Sequence, residues 1–307
     1  VIGVTGSRAT IAPFARDGRA VGPIIFWYDR RAMPEVNEIG ERFGVKEYFK
    51  LTGIPLDPTP SITKMMWWRH NQPKVFKEAQ IYALPQTVVL NSLTGEGWYC
   101  DDSNGPYLGF MNLKTRSWEQ KLLDIAEVGK ENLPEIIKPG TVVGQLSRTA
   151  ADKTGLNPKT QVVISGSDSA CFKLGAGVNN HNVACMYIGT AGVSGVITDK
   201  PVIDPRLTCC PAAIPDLWDL DGLLLTGGSA FRWVRDLLNV NTDQKSKLNF
   251  RQLDELAATI SAGSDGVVVV PHLAGAGSPI WDPGASGIVT GLKLSHGAAN
   301  LVRATME

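Results

Sequence analysis

The residue best placed for chemistry is Asp168, a carboxylate that follows an apolar run. The letters Gln-Val-Val-Ile-Ser over 161–165 predict a buried strand, and the Gly-Ser pair after them precedes a predicted helix over 169–174. At the carboxyl end of a buried strand in an open α/β sheet, side chains face the ligand crevice, so Asp168 is suited to take a proton from a hydroxyl nucleophile. The alternative, which the local sequence favours, is an ordinary N-cap of the following helix.

Two glycine turns are candidates for contact with phosphate. Gly189 and Thr190 lie in Ile-Gly-Thr-Ala-Gly between two predicted strands, and Gly228 lies in Thr-Gly-Gly-Ser between a predicted strand and a helix. Glycine lets the backbone approach phosphate oxygens closely, a threonine hydroxyl adds a donor, and a helix N-terminus favours an anion. A plain hairpin at the first turn and tight strand–helix packing at the second explain the same letters at least as well.

Polar residues form two further clusters, which suit the hydroxyls of a polyol or sugar. Ser7 and Arg8 follow the opening apolar run and are joined by the charged residues 29–31, while residues 100–104 read Cys-Asp-Asp-Ser-Asn. Solvated turns have the same composition, and the sequence favours the two interpretations equally.

Composition excludes several classes of function. The 30 basic and 30 acidic residues balance, which argues against nucleic-acid binding. Neither G-x-G-x-x-G nor G-x-x-x-x-G-K-[ST] occurs with the right flanks, so a dehydrogenase is excluded. The four histidines and five cysteines lack ligand spacing, so no metal site and no disulfide framework are predicted. No run is long and apolar enough for a membrane span, and a cytoplasmic protein is expected.

Apolar runs alternate with helical patterns, which predicts an α/β fold. A domain boundary is predicted near 178. The first part contains predicted strands at 24–27 and 161–165 and predicted helices at 32–43, 61–70, 86–93, 118–126, 148–153 and 169–174. The second contains predicted strands at 183–188, 193–197, 223–226 and 267–270, helices at 229–238 and 252–260, and a polar segment at 241–250. Both ends of the chain fall inside predicted elements, so we expect it to be part of a longer one.

Taken in order, several segments resemble the FGGY family of carbohydrate kinases, which includes xylulokinases, gluconokinases and glycerol kinases. Residues 3–10 with 23–31 look like the family's early substrate segment, and 59–67 (Thr-Pro-Ser-Ile-Thr-Lys-Met-Met-Trp) are similar to its first signature. Residues 287–292 (Gly-Ile-Val-Thr-Gly-Leu) with 300–307 fit its second signature at every constrained position. The resemblance covers essentially the whole chain.

The resemblance implies two ribonuclease-H-like domains of the actin, hexokinase and Hsp70 type with a cleft between them. Residues 1–178 would form the sugar-binding domain and 179–307 the nucleotide-binding domain. The implied activity is phosphorylation of a sugar or polyol hydroxyl, with Mg-ATP as donor and Asp168 as general base. The family's first phosphate loop, with an Asp that helps to hold Mg²⁺, would precede Val1, and its adenine segment would follow Glu307.

The remaining site residues are also implied by the resemblance. The substrate side takes Arg8, Ala9, Asp101, Asp102 and Ser169, and the nucleotide side takes Gly189, Thr190, Gly228 and Arg232.

Several of these residues depart from individual members of the family. Glycerol kinases have Glu at Ala9, Tyr at Asp102 and Gln at Ser169, and xylulokinases and gluconokinases have Met-His at the Arg8-Ala9 pair. The acceptor therefore stays open among ketose, polyol and sugar acid, and a homodimer stays open as well. A non-catalytic sugar-binding pseudokinase or regulatory fragment is the alternative function.

Overall fold

Strands and helices alternate along the chain, as predicted. The computed structural model describes residues 1–240, 243 and 246–307, so the polar segment predicted at 241–250 lies partly outside the described residues. The chain divides into two compact units. The first consists of Val1–Cys185 and Gly195–Leu220, and the second of Met186–Ser194 and Asp221–Glu307.

The elements of the first part of the chain run as far as residue 175. Its helices are α1 (Met33–Arg42), α2 (Val45–Thr52), α3 (Ser61–Asn71), α4 (Pro73–Glu78), α5 (Pro85–Thr94), α6 (Gly105–Leu108), α7 (Gln120–Ala126), α8 (Arg148–Thr154) and α9 (Asp168–Gly175). Its strands are β1 (Ile2–Val4), β2 (Ala12–Phe14), β3 (Ile81–Ala83), β4 (Tyr99–Asp101), β5 (Met111–Asn112), β6 (Ser117–Trp118), β7 (Glu135–Ile137), β8 (Val142–Gln145) and β9 (Gln161–Ile164).

The remainder of the chain begins with four hydrogen-bonded strands. They are β10 (Ala184–Ile188), β11 (Gly192–Thr198), β12 (Thr208–Pro211) and β13 (Trp218–Leu224), in the order β10-β11-β13-β12. After them come α10 (Gly228–Leu238), α11 (Phe250–Ala258), β14 (Val268–Val270), β15 (Ile288–Thr290) and α12 (Ala298–Met306).

The sheet that positions Asp168 has the order β1-β9-β8. Strands β1 and β9 are parallel, with Val4 opposite Ile164, and β8 is antiparallel to β9. Both β1 and β9 are short apolar runs, and Val162 and Ile164 are buried against Leu90 of α5. Because β1 and β9 are parallel neighbours, the turns that follow them leave the same edge of the sheet.

Helix α3 forms the centre of the main core of the first unit. Its residues Ile62, Met65 and Trp68 are fully buried and belong to one cluster with Tyr48 and Phe110. Most residues of α3 are buried, on every face, which is typical of a helix packed on all sides. In the second unit the corresponding cluster is smaller and lies among α10, α11 and α12.

Three secondary-structure predictions need correction. Residues 24–27 form no strand: Ile25 alone is buried and makes an isolated bridge with Ile11, while Ile24 and Phe26 are exposed. The helix predicted at 118–126 begins at Gln120, because Trp118 pairs in the short hairpin of β5 and β6. The strand predicted at 223–226 is β13, which begins at Trp218 and ends at Leu224.

The described residues contain no helix that is both long and apolar enough to cross a membrane.

Candidate active site

The turns after β1 and β9 are tied together by hydrogen bonds. The Thr5 hydroxyl donates to the carbonyl of Gly166 (2.8 Å), and the amide of Ser165 donates to the carbonyl of Val4 (2.9 Å). The amide of Asp168 donates to the carbonyl of Gly6 (3.0 Å). The first turn therefore fixes the backbone at the point where Asp168 leaves the sheet.

Asp168 is the first residue of α9 and not its N-cap. The cap is Ser167, whose hydroxyl accepts from the amide of Ala170 (3.4 Å). The Asp168 side chain is exposed, and its Oδ1 accepts only from the neighbouring amide of Ser169 (2.7 Å) among the contacts of the described residues. The interpretation of Asp168 as a cap is therefore wrong, because the serine before it already satisfies the orphan amide.

Arg8 joins the two turns through its side chain. Its Nε donates to the Ser167 hydroxyl (3.0 Å), its Nη2 lies 3.4 Å from Oδ2 of Asp219, and its guanidinium lies 5.1 Å from the ring centroid of Tyr107. Only 10% of the Arg8 side chain is exposed. The same hydroxyl thus serves both as the cap of α9 and as the acceptor for Arg8.

The buried side-chain amide of Gln86, at the start of α5, bonds to the chain at the ends of both β1 and β9. Its Nε2 donates to the carbonyls of Val4 (3.0 Å) and Ser165 (2.8 Å), and its Oε1 accepts from Nδ2 of Asn104 (3.2 Å). Gly6 packs closely here, since a Cβ on it would lie 2.9 Å from the amide nitrogen of Gln86.

Asp101, at the end of β4, is fully buried and organises the next turn. Its Oδ1 accepts from the amide and the hydroxyl of Ser103, and its Oδ2 accepts from Nδ2 of Asn104 (2.6 Å). The Ser103 hydroxyl in turn accepts from the amide of Ser167 (2.8 Å). Burial raises the pKa of Asp101, and these hydrogen bonds together with the charge of Arg8 oppose the rise. Both oxygens of the Asp101 carboxylate therefore accept hydrogen bonds from residues of the protein itself.

Asp102 points to a different partner. Its Oδ2 accepts from Nη1 of Arg116 (2.7 Å), while its buried Oδ1 has no hydrogen-bond partner among the described residues. Burial raises the pKa of Asp102 to about 6; Arg116 opposes that rise and Asp101 adds to it. A buried carboxylate oxygen without a donor is costly, and a ligand hydroxyl would satisfy it.

The other two substrate residues predicted from the resemblance lie close to this network. Ala9 is fully buried with a left-handed backbone (φ 58°), and its carbonyl accepts from the hydroxyl of Ser61 (3.2 Å). Ser169 is 7% exposed, and its hydroxyl has no partner among the described residues. Ala9 therefore contributes backbone shape, whereas Ser169 offers a hydroxyl.

Sequence reasoning missed an ion pair that supports Arg8. Lys173 of α9 is fully buried, and its Nζ lies 3.0 Å from Oδ2 of Asp219, the same oxygen that faces Arg8. One signal was available. Asp219 and Asp221 alternate with apolar residues in β13, which places both carboxylates on one face of the strand, and both are buried.

In the second unit, the two glycine turns meet through their backbones. The amide of Gly228 donates to the carbonyl of Gly189 (2.7 Å), and the amides of Gly227 (2.9 Å) and Ser229 (3.2 Å) donate to the carbonyl of Thr190. A Cβ on Gly228 would lie 2.6 Å from the Gly189 oxygen, whereas one on Gly189 would meet nothing within 4 Å. Glycine at 228 thus permits tight packing, and the turn occupies the first amides of α10.

Of the predicted nucleotide residues of this region, Thr190 and Arg232 have exposed side chains, and Ile188 and Trp233 are exposed beside them. Arg232 lies in the second turn of α10. A hydroxyl and a guanidinium are groups suited to contact with an anion, and the amides of residues 227 to 229 are engaged in the turn.

Comparison with known proteins gives the same assignment along the whole chain. The family models for the N-terminal and C-terminal domains of the FGGY family of carbohydrate kinases match residues 1–175 and 184–307. The gluconokinase of Bacillus subtilis (strain 168) is 27% identical over 311 residues, and the glycerol kinase of Trichlorobacter lovleyi is 27% identical over 317 residues. Each alignment covers 100% of this chain, but 60% and 62% of the respective relative.

Solved structures agree with the sequence matches. A gluconate kinase from Lactobacillus acidophilus superposes with a TM-score of 0.85 at 28% identity, covering 98% of this chain and 60% of that one. A xylulose kinase from Rhodospirillum rubrum gives 0.84 at 28% identity, covering 99% and 61%. The prediction of a two-domain α/β fold of this type is confirmed. With both domain models matched, this chain belongs to the FGGY family of carbohydrate kinases.

Proposed function

We propose that the protein to which this chain belongs transfers the γ-phosphoryl group of ATP to a hydroxyl of a sugar, polyol or sugar acid. The chain spans about 60% of the length of its relatives, so the activity of the whole protein is part of the proposal. Relatives named gluconokinase, glycerol kinase and xylulose kinase support this range of acceptors.

The observation that carries the proposal is the state of the Asp168 carboxylate. It leaves the carboxyl edge of a parallel strand pair, it is exposed, and Ser167 has taken over the capping of α9. We assign it the role of general base. It accepts the proton of the attacking hydroxyl as that oxygen bonds to phosphorus and the bond from phosphorus to the ADP oxygen breaks.

On the acceptor side, we propose that Arg8, Asp102 and Ser169 bind substrate hydroxyls. Arg8 is held in position by Ser167 and Asp219, and Asp102 and Ser169 each have a polar oxygen with no partner among the described residues. Asp101 and Ala9 are proposed to support these residues indirectly. Asp101 does so through its hydrogen bonds, and Ala9 through its left-handed backbone. Fixed polar groups of this kind hold an acceptor in one orientation.

On the nucleotide side, the Thr190 hydroxyl and the Arg232 guanidinium are proposed to contact the phosphates, with Gly189 and Gly228 shaping the turn. Among the described residues, no three His, Cys, Asp or Glu side chains lie together as a metal site. Mg²⁺ is proposed to arrive with the nucleotide, since kinases bind it through few protein ligands and the phosphates of the substrate. When bound it neutralises phosphate charge.

ATP-dependent phosphorylation of a panel of ketoses, polyols and sugar acids tests the proposal. For the acceptor that supports turnover, Asp168→Asn should lower kcat by roughly 10² to 10⁴, the usual contribution of a general base. Asp152→Asn makes the same change at an exposed residue of α8 and should leave kcat unchanged. An Asp168→Asn variant with full activity would contradict the assignment of the base.

A further inference from the structure

An open pocket of about 660 Å³ lies in the first unit and is lined in part by Arg116, the hydrogen-bond partner of Asp102. Its walls combine cationic side chains, one carboxylate and an indole, contributed by Lys50, Lys114, Arg116, Lys138, Asp216 and Trp218. The remaining walls are mainly apolar. Aromatic and aliphatic walls with a few convergent polar groups are typical of small-molecule sites.

The charge of the pocket is unbalanced. Lys50 pairs with Glu47 (2.9 Å) and Arg116 pairs with Asp102 (2.7 Å). Lys114 and Lys138 form no ion pair within the part of the chain that the structure describes, and Asp216 is the acidic residue of the lining. Positive charge therefore exceeds negative charge there, and an anionic group would be attracted to it.

The guanidinium of Arg116 is a positive charge of the pocket that is held in a fixed position. It is held with a left-handed backbone (φ 51°) in the loop between β5 and β6, its Nη1 is anchored on Asp102, and its guanidinium lies 5.2 Å from the Trp218 ring centroid. Trp218 is 9% exposed and Asp102 is 3% exposed. An arginine anchored on two buried groups differs from the mobile lysines of an ordinary surface, because little rotamer entropy is lost when it binds an anion.

The pocket is joined to one of the acceptor residues assigned above, Asp102, through Arg116, which lines the pocket and donates to that carboxylate. The charge of Lys138 acts on the Asp102 carboxylate, and Asp102 follows Asp101, whose turn is bonded through Ser103 to Ser167. The Oδ1 of Asp102 lacks a donor among the described residues, and the positive charge of Lys138 and Lys114 beside Arg116 would attract an oxyanion. A polyhydroxylated acid carries both groups on one molecule.

We propose that this pocket binds the carboxylate of a sugar-acid substrate and so makes the protein select a sugar acid over a neutral sugar or polyol. The inference rests on the proposed function, because it places the substrate's anionic end beside Arg116, the partner of the acceptor residue Asp102. A free phosphate would satisfy the same cations, so the test must separate an anion that belongs to the substrate from an independent one.

The test is isothermal titration calorimetry of the protein, without nucleotide, against three probes. D-gluconate is a six-carbon polyhydroxylated acid, sorbitol is the neutral polyol of the same length, and inorganic phosphate is an anion without hydroxylated carbons. Gluconate should bind roughly tenfold or more tightly than sorbitol, as charged hydrogen bonds allow. Phosphate should bind weakly and compete with gluconate.

The matched variants change two lysines each. Lys114→Gln with Lys138→Gln should weaken the binding of gluconate roughly fivefold to tenfold and leave the binding of sorbitol unchanged. Lys121→Gln with Lys159→Gln removes the same charge from exposed residues that do not line the pocket and should change neither affinity. Both double variants change only exposed side chains, so folding is expected to persist and is checked by their melting temperatures.

Equal affinity for gluconate and sorbitol would overturn the proposal, as would a failure of both to bind. Phosphate binding that leaves gluconate affinity unchanged would show an anion site independent of the substrate and would also overturn it. Tight, lysine-dependent gluconate binding without phosphoryl transfer would support the pocket and contradict the kinase activity. Phosphorylation of neutral sugars with no preference for acids would support the kinase activity and contradict the role of the pocket.

Discussion

The two candidate regions of this protein are built from different chemical groups. In the first unit, the turns that present Arg8 and Asp168 are held by buried side chains, chiefly Gln86, Asp101 and Ser103. In the second unit, the Gly189 turn and the start of α10 are joined mainly by backbone amides and carbonyls. The first region therefore depends on side chains being present, and the second depends on a side chain being absent.

This difference determines which substitutions cause damage. Truncating a buried polar side chain in the first unit leaves its partners unsatisfied, and each such group costs free energy. In the second unit truncation has little to remove, but an added methyl group at Gly228 meets a carbonyl oxygen. Four measurements test this comparison, beginning with the largest expected effect.

Gln86→Ala should have the largest effect on stability. It deletes hydrogen bonds to the carbonyls of Val4 and Ser165 and to Asn104, and it leaves a cavity beneath both turns. We expect the free energy of unfolding, measured by urea denaturation, to fall by about 4 kcal/mol. Gln120→Ala on α7 removes an exposed amide that bonds to Asp124 and should cost less than about 0.5 kcal/mol. Equal effects of the two variants would break the comparison.

The second measurement concerns the pH dependence of stability. Burial raises the pKa of Asp102 from 3.8 to about 6, with Arg116, Asp101 and Lys138 as the charged groups that act on it. Because the folded protein holds this proton more tightly than the unfolded chain, the stability contributed by Asp102 is greatest below pH 4. It declines as the pH rises toward 6 and is then constant.

At about 1.4 kcal/mol for each pKa unit, that decline amounts to about 3 kcal/mol. Asp102→Asn removes the titration, so the unfolding free energy of the wild type minus that of the variant should fall by most of this amount, about 2 kcal/mol, between pH 4 and pH 7. Parallel curves for the two proteins would show that Asp102 does not titrate in this range. The Gly189 turn contains no titratable side chain and can contribute no such slope.

The third measurement tests the backbone-built region. Gly228→Ala places a methyl group 2.6 Å from the carbonyl oxygen of Gly189, so α10 or the turn must shift. The overpacking should cost about 2 kcal/mol, although alanine is otherwise the better helix former. Gly189→Ala is the matched control, because its methyl group would enter open space.

The readout for these two variants is hydrogen exchange of the amides at 228 and 229. Exchange should accelerate in Gly228→Ala, because the hydrogen bond from the amide of residue 228 to the carbonyl of Gly189 is strained there, and should be unchanged in Gly189→Ala. Acceleration in both variants would mean that the turn itself, and not the close approach at Gly228, controls the region.

The sequence predicted the elements around Asp168 because strand, turn and helix are encoded locally. It could not decide which residue caps α9, since Ser167 and Asp168 are both good capping residues and the choice depends on where the chain leaves β9. The contact between Arg8 and Asp219 joins positions 211 residues apart, and no local pattern reports such a pair. Arg116 was missed for a related reason, because its left-handed backbone and its partner are set by tertiary structure.

The smallest expected effect on stability concerns Ser167, whose hydroxyl accepts both from a backbone amide and from a side chain. Its hydroxyl caps α9 and accepts from Arg8, whereas the hydroxyl of Ser147 caps α8 through the amide of Ala150 (3.1 Å) and accepts from no arginine among the described residues. Ser167→Ala and Ser147→Ala should each lower the unfolding free energy by about 1 kcal/mol, the usual value of a cap. If Arg8 binds the acceptor, only Ser167→Ala should also raise the KM for the acceptor, since only there does an arginine lose one of the groups that position it. A rise in KM of the same size in both variants would mean that cap loss, and not the position of Arg8, governs acceptor binding.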